Sequence, residues 1–241
     1  MRAASVFKQE RGFQSPRIPP IAAIGVGVLL WFLPTLLLPV LEQPIVQILH
    51  MIGLLAAPDG GAEGRFAAAL ALRWVAIAAL LAFVVGVERL PLQSVGISKP
   101  RVTDMVWAGA IGLVSAVVGI GLYLFVQGFE PGVETAAGQL VSAMSLLGKI
   151  HLILNAAIVE ELFFRGFLIE RTTTATHRVW LAGIASFVLF VVSHLSGSGL
   201  IETLTIVSVG TLVFVLLYLW RRNLVLCVVA HTVSNAPLLL S

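Results

Sequence analysis

Two adjacent carboxylates, Glu160 and Glu161, stand inside LLGKIHLILNAAIVEELFFRGFLI, a run that is otherwise almost wholly apolar. Charges in lipid are costly and turn to the interior of a bundle, where they meet a partner or a water-filled cavity. Arg165 follows Glu161 by four residues, so the two share a helical face and can brace each other along it. Glu160 has Ala156, Phe163 and Phe164 at the corresponding positions, and none of these satisfies a carboxylate. It needs a group from another helix, a water or a proton. Burial raises the pKa of a carboxylate, which suits a general base near neutral pH.

Three further polar groups offer themselves downstream. His194 ends the run FVLFVVSHLSGSG, and His231 and Asn235 lie four apart in CVVAHTVSNAPLLLS. An imidazole and an amide on one helix face can donate two hydrogen bonds to one point, as a carbonyl oxygen gathering negative charge requires. Taken singly, each has a plain structural reading as an intrahelical brace, a paired glutamate or a helix-to-helix hydrogen bond. Taken together, one shared interior cavity accommodates them all. Water between Glu160 and His194 would lose a proton and attack an amide carbonyl, while His231 and Asn235 hold the oxyanion. No serine or cysteine nucleophile is required. A zinc ion on Glu160, His194 and His231 is the metal-dependent alternative. Against it, HExxH is absent and the neighbouring glutamates point in different directions on a helix, so the reading is cofactor-free.

The elements that must position these groups follow from composition. Of 241 residues, 59% are hydrophobic and 11% charged, against about 25% charged in a soluble domain. With mean hydropathy +1.01, the chain reads as an all-α polytopic membrane protein of about seven helices, within a range of six to eight. The net charge of +3 reads as topology signals and not as a nucleic-acid surface, because no basic patch carries interleaved aromatics. The single cysteine, Cys227, reads as a small buried hydrophobe.

Residues 1–20 form a basic, proline-containing cytoplasmic tail, 21–103 a set of N-terminal membrane segments, and 104–241 the core that holds the polar groups. Spans are expected near 21–40, 66–87, 104–127, 139–158, 179–195, 202–220 and 223–240. Pro34 and Pro39 would kink or end the first. Residues 42–57 are expected not to cross. Arg73 would snorkel to the headgroups from the first turns of span two. Gly109, Gly112, Gly119 and Gly121 would let span three pack closely. The fourth helix runs on through the glutamates to about residue 170, and RTTTATHR (171–178) is a polar connection. With the N-terminus inside, the inner segments hold Arg2, Lys8, Arg11, Arg17, Arg89, Lys99, Arg101, Arg171, Arg178, Arg221 and Arg222, and the outer ones only Arg65, a positive-inside pattern.

E160-E-L-F-F-R165, F190-V-V-S-H194 and H231-T-V-S-N235 resemble, in order and separation, the three signature motifs of the CAAX prenyl protease and bacteriocin-processing family of intramembrane glutamic endopeptidases. The similarity extends from about residue 104 to the C-terminus, with the motifs in 160–235. The resemblance implies that Glu160 and His194 activate water, that His231 and Asn235 stabilise the oxyanion, and that Glu161 and Arg165 support the site. It implies an integral protein of a bacterial plasma membrane, whose partners are membrane lipid and a peptide or protein substrate, lipidated or not, with no nucleic acid. Oligomeric state and substrate are not legible. The rivals are a non-enzymatic immunity or scaffold protein of the same fold and, behind it, a transporter, which the short chain without repeated halves disfavours. One feature sits awkwardly. His194 lies 15 residues along its span, about 22 Å deep, whereas Glu160 lies 10 residues before the expected helix end, about 15 Å.

Overall fold

The computed structural model describes residues 17–55, 61–128 and 136–240, and among them every regular element is helical. The basic tail falls largely outside the described residues. Helix α1 is Pro20–Met51, α2 Gly61–Ala82 with a π-helical extension Phe83–Val87, and α3 Val102–Gln127. A short α4 (Ala136–Ser142) precedes α5 (Leu146–Asn155). α5 continues through π-helical turns at Ala156–Glu160 and Leu162–Ile169 into α6 (Glu170–Thr176), giving one unbroken glutamate helix over 146–176. Then come α7 (Val179–Ser198), α8 (Leu200–Arg221) and α9 (Leu224–Asn235).

Helices α1, α2, α3 and α8 are each long and apolar enough to cross a membrane, and α7 and α9 are shorter apolar helices. With the glutamate helix they make an all-α polytopic membrane fold. α1 exposes Leu29, Leu36 and Val40, and α3 exposes Val106, Leu113 and Val117, apolar surface suited to lipid.

The boundaries depart from expectation in three places. α1 does not stop near residue 40: it runs through Pro34, Pro39 and Pro44 to Met51, so residues 42–51 prolong the first helix. Lipid offers the backbone no alternative partners, and prolines are tolerated within such helices. The fourth segment is interrupted where continuity was expected. α4 ends at Ser142, and Ser145 starts a new helix by accepting from the Gly148 backbone N–H at 3.1 Å, an N-cap. RTTTATHR is no loop either. Its first six residues stay helical, and the turn comes at His177, in the left-handed region at φ 56°.

α2 and the glutamate helix run parallel, side by side. Ser145 meets Glu63, Asn155 meets Leu70, Glu160 meets Arg73, and Arg171 meets Glu88. A parallel pair leaves room for a single crossing between them, which is α3. At one end of the bundle three ion pairs collect, Glu88–Arg171, Asp104–Arg221 and Glu170–Arg222. These are the segments in which the charge count gathers its basic residues. Close packing behind the site depends on Gly112: a Cβ there would run into the backbone of Ala230 on α9. Gly119 likewise faces the Ile206 backbone at 3.1 Å, whereas Gly121 has open space beside it, so only part of the glycine stripe is a packing surface.

Candidate active site

Glu160 closes the first π-helical stretch of the glutamate helix, and Glu161 stands between it and the second. Such wide turns recur at functional sites. As adjacent residues on a helix they look to different neighbours. Glu161 is fully buried and turns to its own helix and to α9. Arg165 Nη1 lies 3.1 Å from Glu161 Oε1, and His231 Nδ1 donates to the same oxygen at 2.8 Å. The expected brace therefore exists, with His231 as a third member. Arg165, also fully buried, reaches the Thr211 carbonyl at 3.5 Å and lies 4.5 Å over the Phe190 ring.

Glu160 turns the other way. Its Oε2 faces His194 Nε2 at 3.9 Å, and its Oε1 accepts from Arg73 Nη2 at 2.6 Å. The arginine does not snorkel to the headgroups. It lies well along α2, a quarter exposed, and turns inward because a buried carboxylate without a counter-charge costs more than bending the side chain away from the surface. Glu160 is thus no solitary carboxylate awaiting a proton. Arg73 is the neighbour of Glu160 that the sequence reading missed. Its signal was a cation at mid-helix with only Ala69, Leu70, Ala76 and Ile77 at helical spacing.

His194 is oriented from behind. Its Nδ1 lies 2.9 Å from the Phe190 carbonyl, which can only accept, so Nδ1 carries a proton, and when the ring is neutral Nε2 presents a lone pair. Phe190 stacks on the imidazole with centroids 4.4 Å apart. With the ring neutral, two acceptors confront each other at 3.9 Å, too far for a direct hydrogen bond. A water oxygen about 2.8 Å from each would subtend an angle near ~90°, close to that between its two O–H bonds.

The depth mismatch disappears. The glutamate helix ends at Thr176, so Glu160 is sixteen residues, roughly 24 Å, from that end, and His194 is fifteen residues, about 22 Å, from the start of α7. Ser186 Oγ donates to the Phe164 carbonyl at 3.1 Å and fixes the two helices at this register. An aromatic wall surrounds the polar groups. Trp31 of α1 stacks on Phe163 at 4.7 Å, Phe164 meets Phe190 edge-on at 4.8 Å, and Phe214 stacks on His231 at 4.9 Å.

Of the six residues singled out, five form two linked groups: Glu160 with His194, and Glu161 with Arg165 and His231. Asn235 lies one turn beyond His231 at the end of α9, partly exposed, and its side chain makes no hydrogen bond among the described residues. The expected His231–Asn235 pair is therefore asymmetric, with one member tied to Glu161 and the other open. No group of three or more His, Cys, Asp or Glu side chains stands at metal-binding spacing among the described residues. A cavity of about 440 Å³ lies between α1, α2 and α5, lined by Leu49, Phe66, Leu70, Trp74, Met144 and His151; Glu160 and His194 do not line it.

Residues 142–237 match the model of the family described as type II CAAX prenyl endopeptidase Rce1-like. The match contains all six residues and begins at 142, later than the 104 expected from the motifs. Over this stretch the chain is similar to that family of membrane peptidases. No curated protein matches the chain, and no solved structure does.

Proposed function

We propose that the chain is an intramembrane endopeptidase that hydrolyses a peptide bond with water held between Glu160 and His194. The observation that carries this reading is the pair of hydrogen-bond acceptors, Glu160 Oε2 and His194 Nε2, facing each other at 3.9 Å with the imidazole tautomer fixed by the Phe190 carbonyl. Glu160 takes a proton from the water, and the hydroxide oxygen adds to the amide carbon. The carbonyl oxygen becomes an oxyanion, for which the open amide of Asn235 is a donor; His231, with Nδ1–H on Glu161, donates from Nε2 when its ring is protonated. Collapse breaks the C–N bond, and Glu160 returns its proton to the leaving amine. Glu161 and Arg165 hold His231 in place. The substrate is a peptide or protein segment that reaches the site through the membrane, lipidated or not, and the enzyme is an integral protein of the plasma membrane, with the basic ends of its helices on the cytoplasmic side.

The experiment is hydrolysis of a mixed library of lipidated and unlipidated peptides by the purified chain in nanodiscs, beside Glu160→Gln. Cleavage by the wild type, falling about 10²–10⁴-fold in the variant, is expected for loss of a general base. The ion pair with Arg73 also suits a non-enzymatic protein in which the polar groups form a structural network. Equal cleavage by both proteins, or biological function retained in Glu160→Gln, would move the assignment to that reading.

A further inference from the structure

The acid–base pair of the proposed site lies within the matched stretch, but one contact to it does not. Arg73 belongs to α2, far upstream of residue 142, and its Nη2 donates to Glu160 Oε1 at 2.6 Å. The guanidinium also lies 5.6 Å over the ring of Trp31 on α1. The two oxygens of one carboxylate are thus divided: Oε1 is held from α2, and Oε2 is left toward His194 on α7. The glutamate helix itself supplies no such partner: Glu160 has Ala156, Ala157, Phe163 and Phe164 at α-helical spacing, and Arg165 is engaged with Glu161.

We propose that Arg73 is the positioning residue of this site, and that α1 and α2 complete the catalytic centre. This rests on the endopeptidase reading. Free rotation about the last carboxylate bond of a glutamate would let either oxygen face His194, or neither. A charge-assisted hydrogen bond on Oε1 removes that freedom and leaves Oε2 aimed at the water. The same positive charge keeps a carboxylate in the apolar interior supplied with a counter-ion. Trp31 fixes the guanidinium through its ring face. The groups facing Glu160 are then Arg73 from α2, His194 from α7 and, more distantly, His231 from α9.

The test uses the full chain in nanodiscs with a peptide that the wild type cleaves, and compares Arg73→Met, Arg73→Lys and Glu160→Gln. Misplacing a reacting group by about 1 Å costs on the order of 100-fold, so Arg73→Met is expected to lower kcat about 100-fold with KM within about twofold. Arg73→Lys, which keeps the charge, is expected to retain kcat to within about tenfold. Three results overturn the proposal: an unchanged kcat in Arg73→Met, a loss confined to KM, or Arg73→Lys as inactive as Glu160→Gln. If Arg73→Met gives no folded protein, Arg73→Lys alone decides by the last criterion. Independently of substrate, thermal unfolding of Arg73→Met, Glu160→Gln and the double variant reads whether the two positions are coupled; additive shifts overturn the contact itself. Cleavage by Glu160→Gln at the wild-type rate would instead sink the endopeptidase reading, which separates the two failures.

Discussion

His231 Nδ1 stands 2.8 Å from Oε1 of Glu161, so the last long helix is fastened to the glutamate helix by a buried, charge-assisted hydrogen bond. Arg165 shares that oxygen, and neither Glu161 nor Arg165 has any exposed side-chain surface. Removing one member leaves the others charged or polar with no water to turn to.

Glu161→Ala is therefore expected to destabilise the protein by about 3–5 kcal/mol, the usual cost of stripping one partner from a buried ion pair. Replacing Glu161 and Arg165 together with leucine is expected to cost less than either single change. Thermal unfolding in detergent checks both. A double variant as unstable as the sum of the singles would show that the pair is not an energetic unit.

Asn235→Ala addresses the other half of the proposed oxyanion site. Its side chain is committed to no partner among the described residues, so removing it is expected to leave stability nearly unchanged. The rate should fall by about 10²–10³, as for loss of one oxyanion donor. Equal kcat in the variant and wild type would remove Asn235 from the chemistry.

Gly112→Ala and Gly121→Ala form a matched pair on α3. The first places a Cβ against the Ala230 backbone, one residue from His231; the second meets open space. Overpacking of about 1–3 kcal/mol is expected for Gly112→Ala, with a fall in activity as α9 shifts, and Gly121→Ala is expected to be neutral or slightly stabilising. Melting temperature and hydrolysis rate of the two variants provide the comparison.

What could be read in advance was whatever rests on local pattern. Seven apolar stretches, the basic residues at one end and the three motifs depend on composition and short spacing, which lipid and helical periodicity make nearly deterministic. The Glu161–Arg165 pair follows from an interval of four on one helix. The errors concern partners that sequence does not connect. Arg73 and Glu160 are 87 residues apart, and nothing local distinguishes an arginine that turns inward from one that reaches the surface. Residues 171–176 looked like a loop because they are polar, yet Arg171 is buried with both nitrogens Nε and Nη2 on the Glu88 carboxylate, which lets the helix continue. That extra length is what brings Glu160 level with His194. Pro34 and Pro39 misled for a related reason: in water they end helices, whereas lipid leaves the backbone no better option.

Synthesis runs from the N-terminus, so Arg73 enters the bilayer before Glu160 has been made. At about 5–20 residues per second, the separation of 87 residues is a delay of roughly 4–17 s. During that interval an arginine in mid-helix costs about 2.5–3.5 kcal/mol on the insertion scale. The leucines and alanines of α2 must carry that cost alone. The residue that burdens the insertion of α2 is then the one that holds it to the glutamate helix once that helix arrives beside it. Folding and the completion of the centre become one event: until the two segments meet, the chain holds a stranded cation, and afterwards a charge-balanced carboxylate aimed at His194.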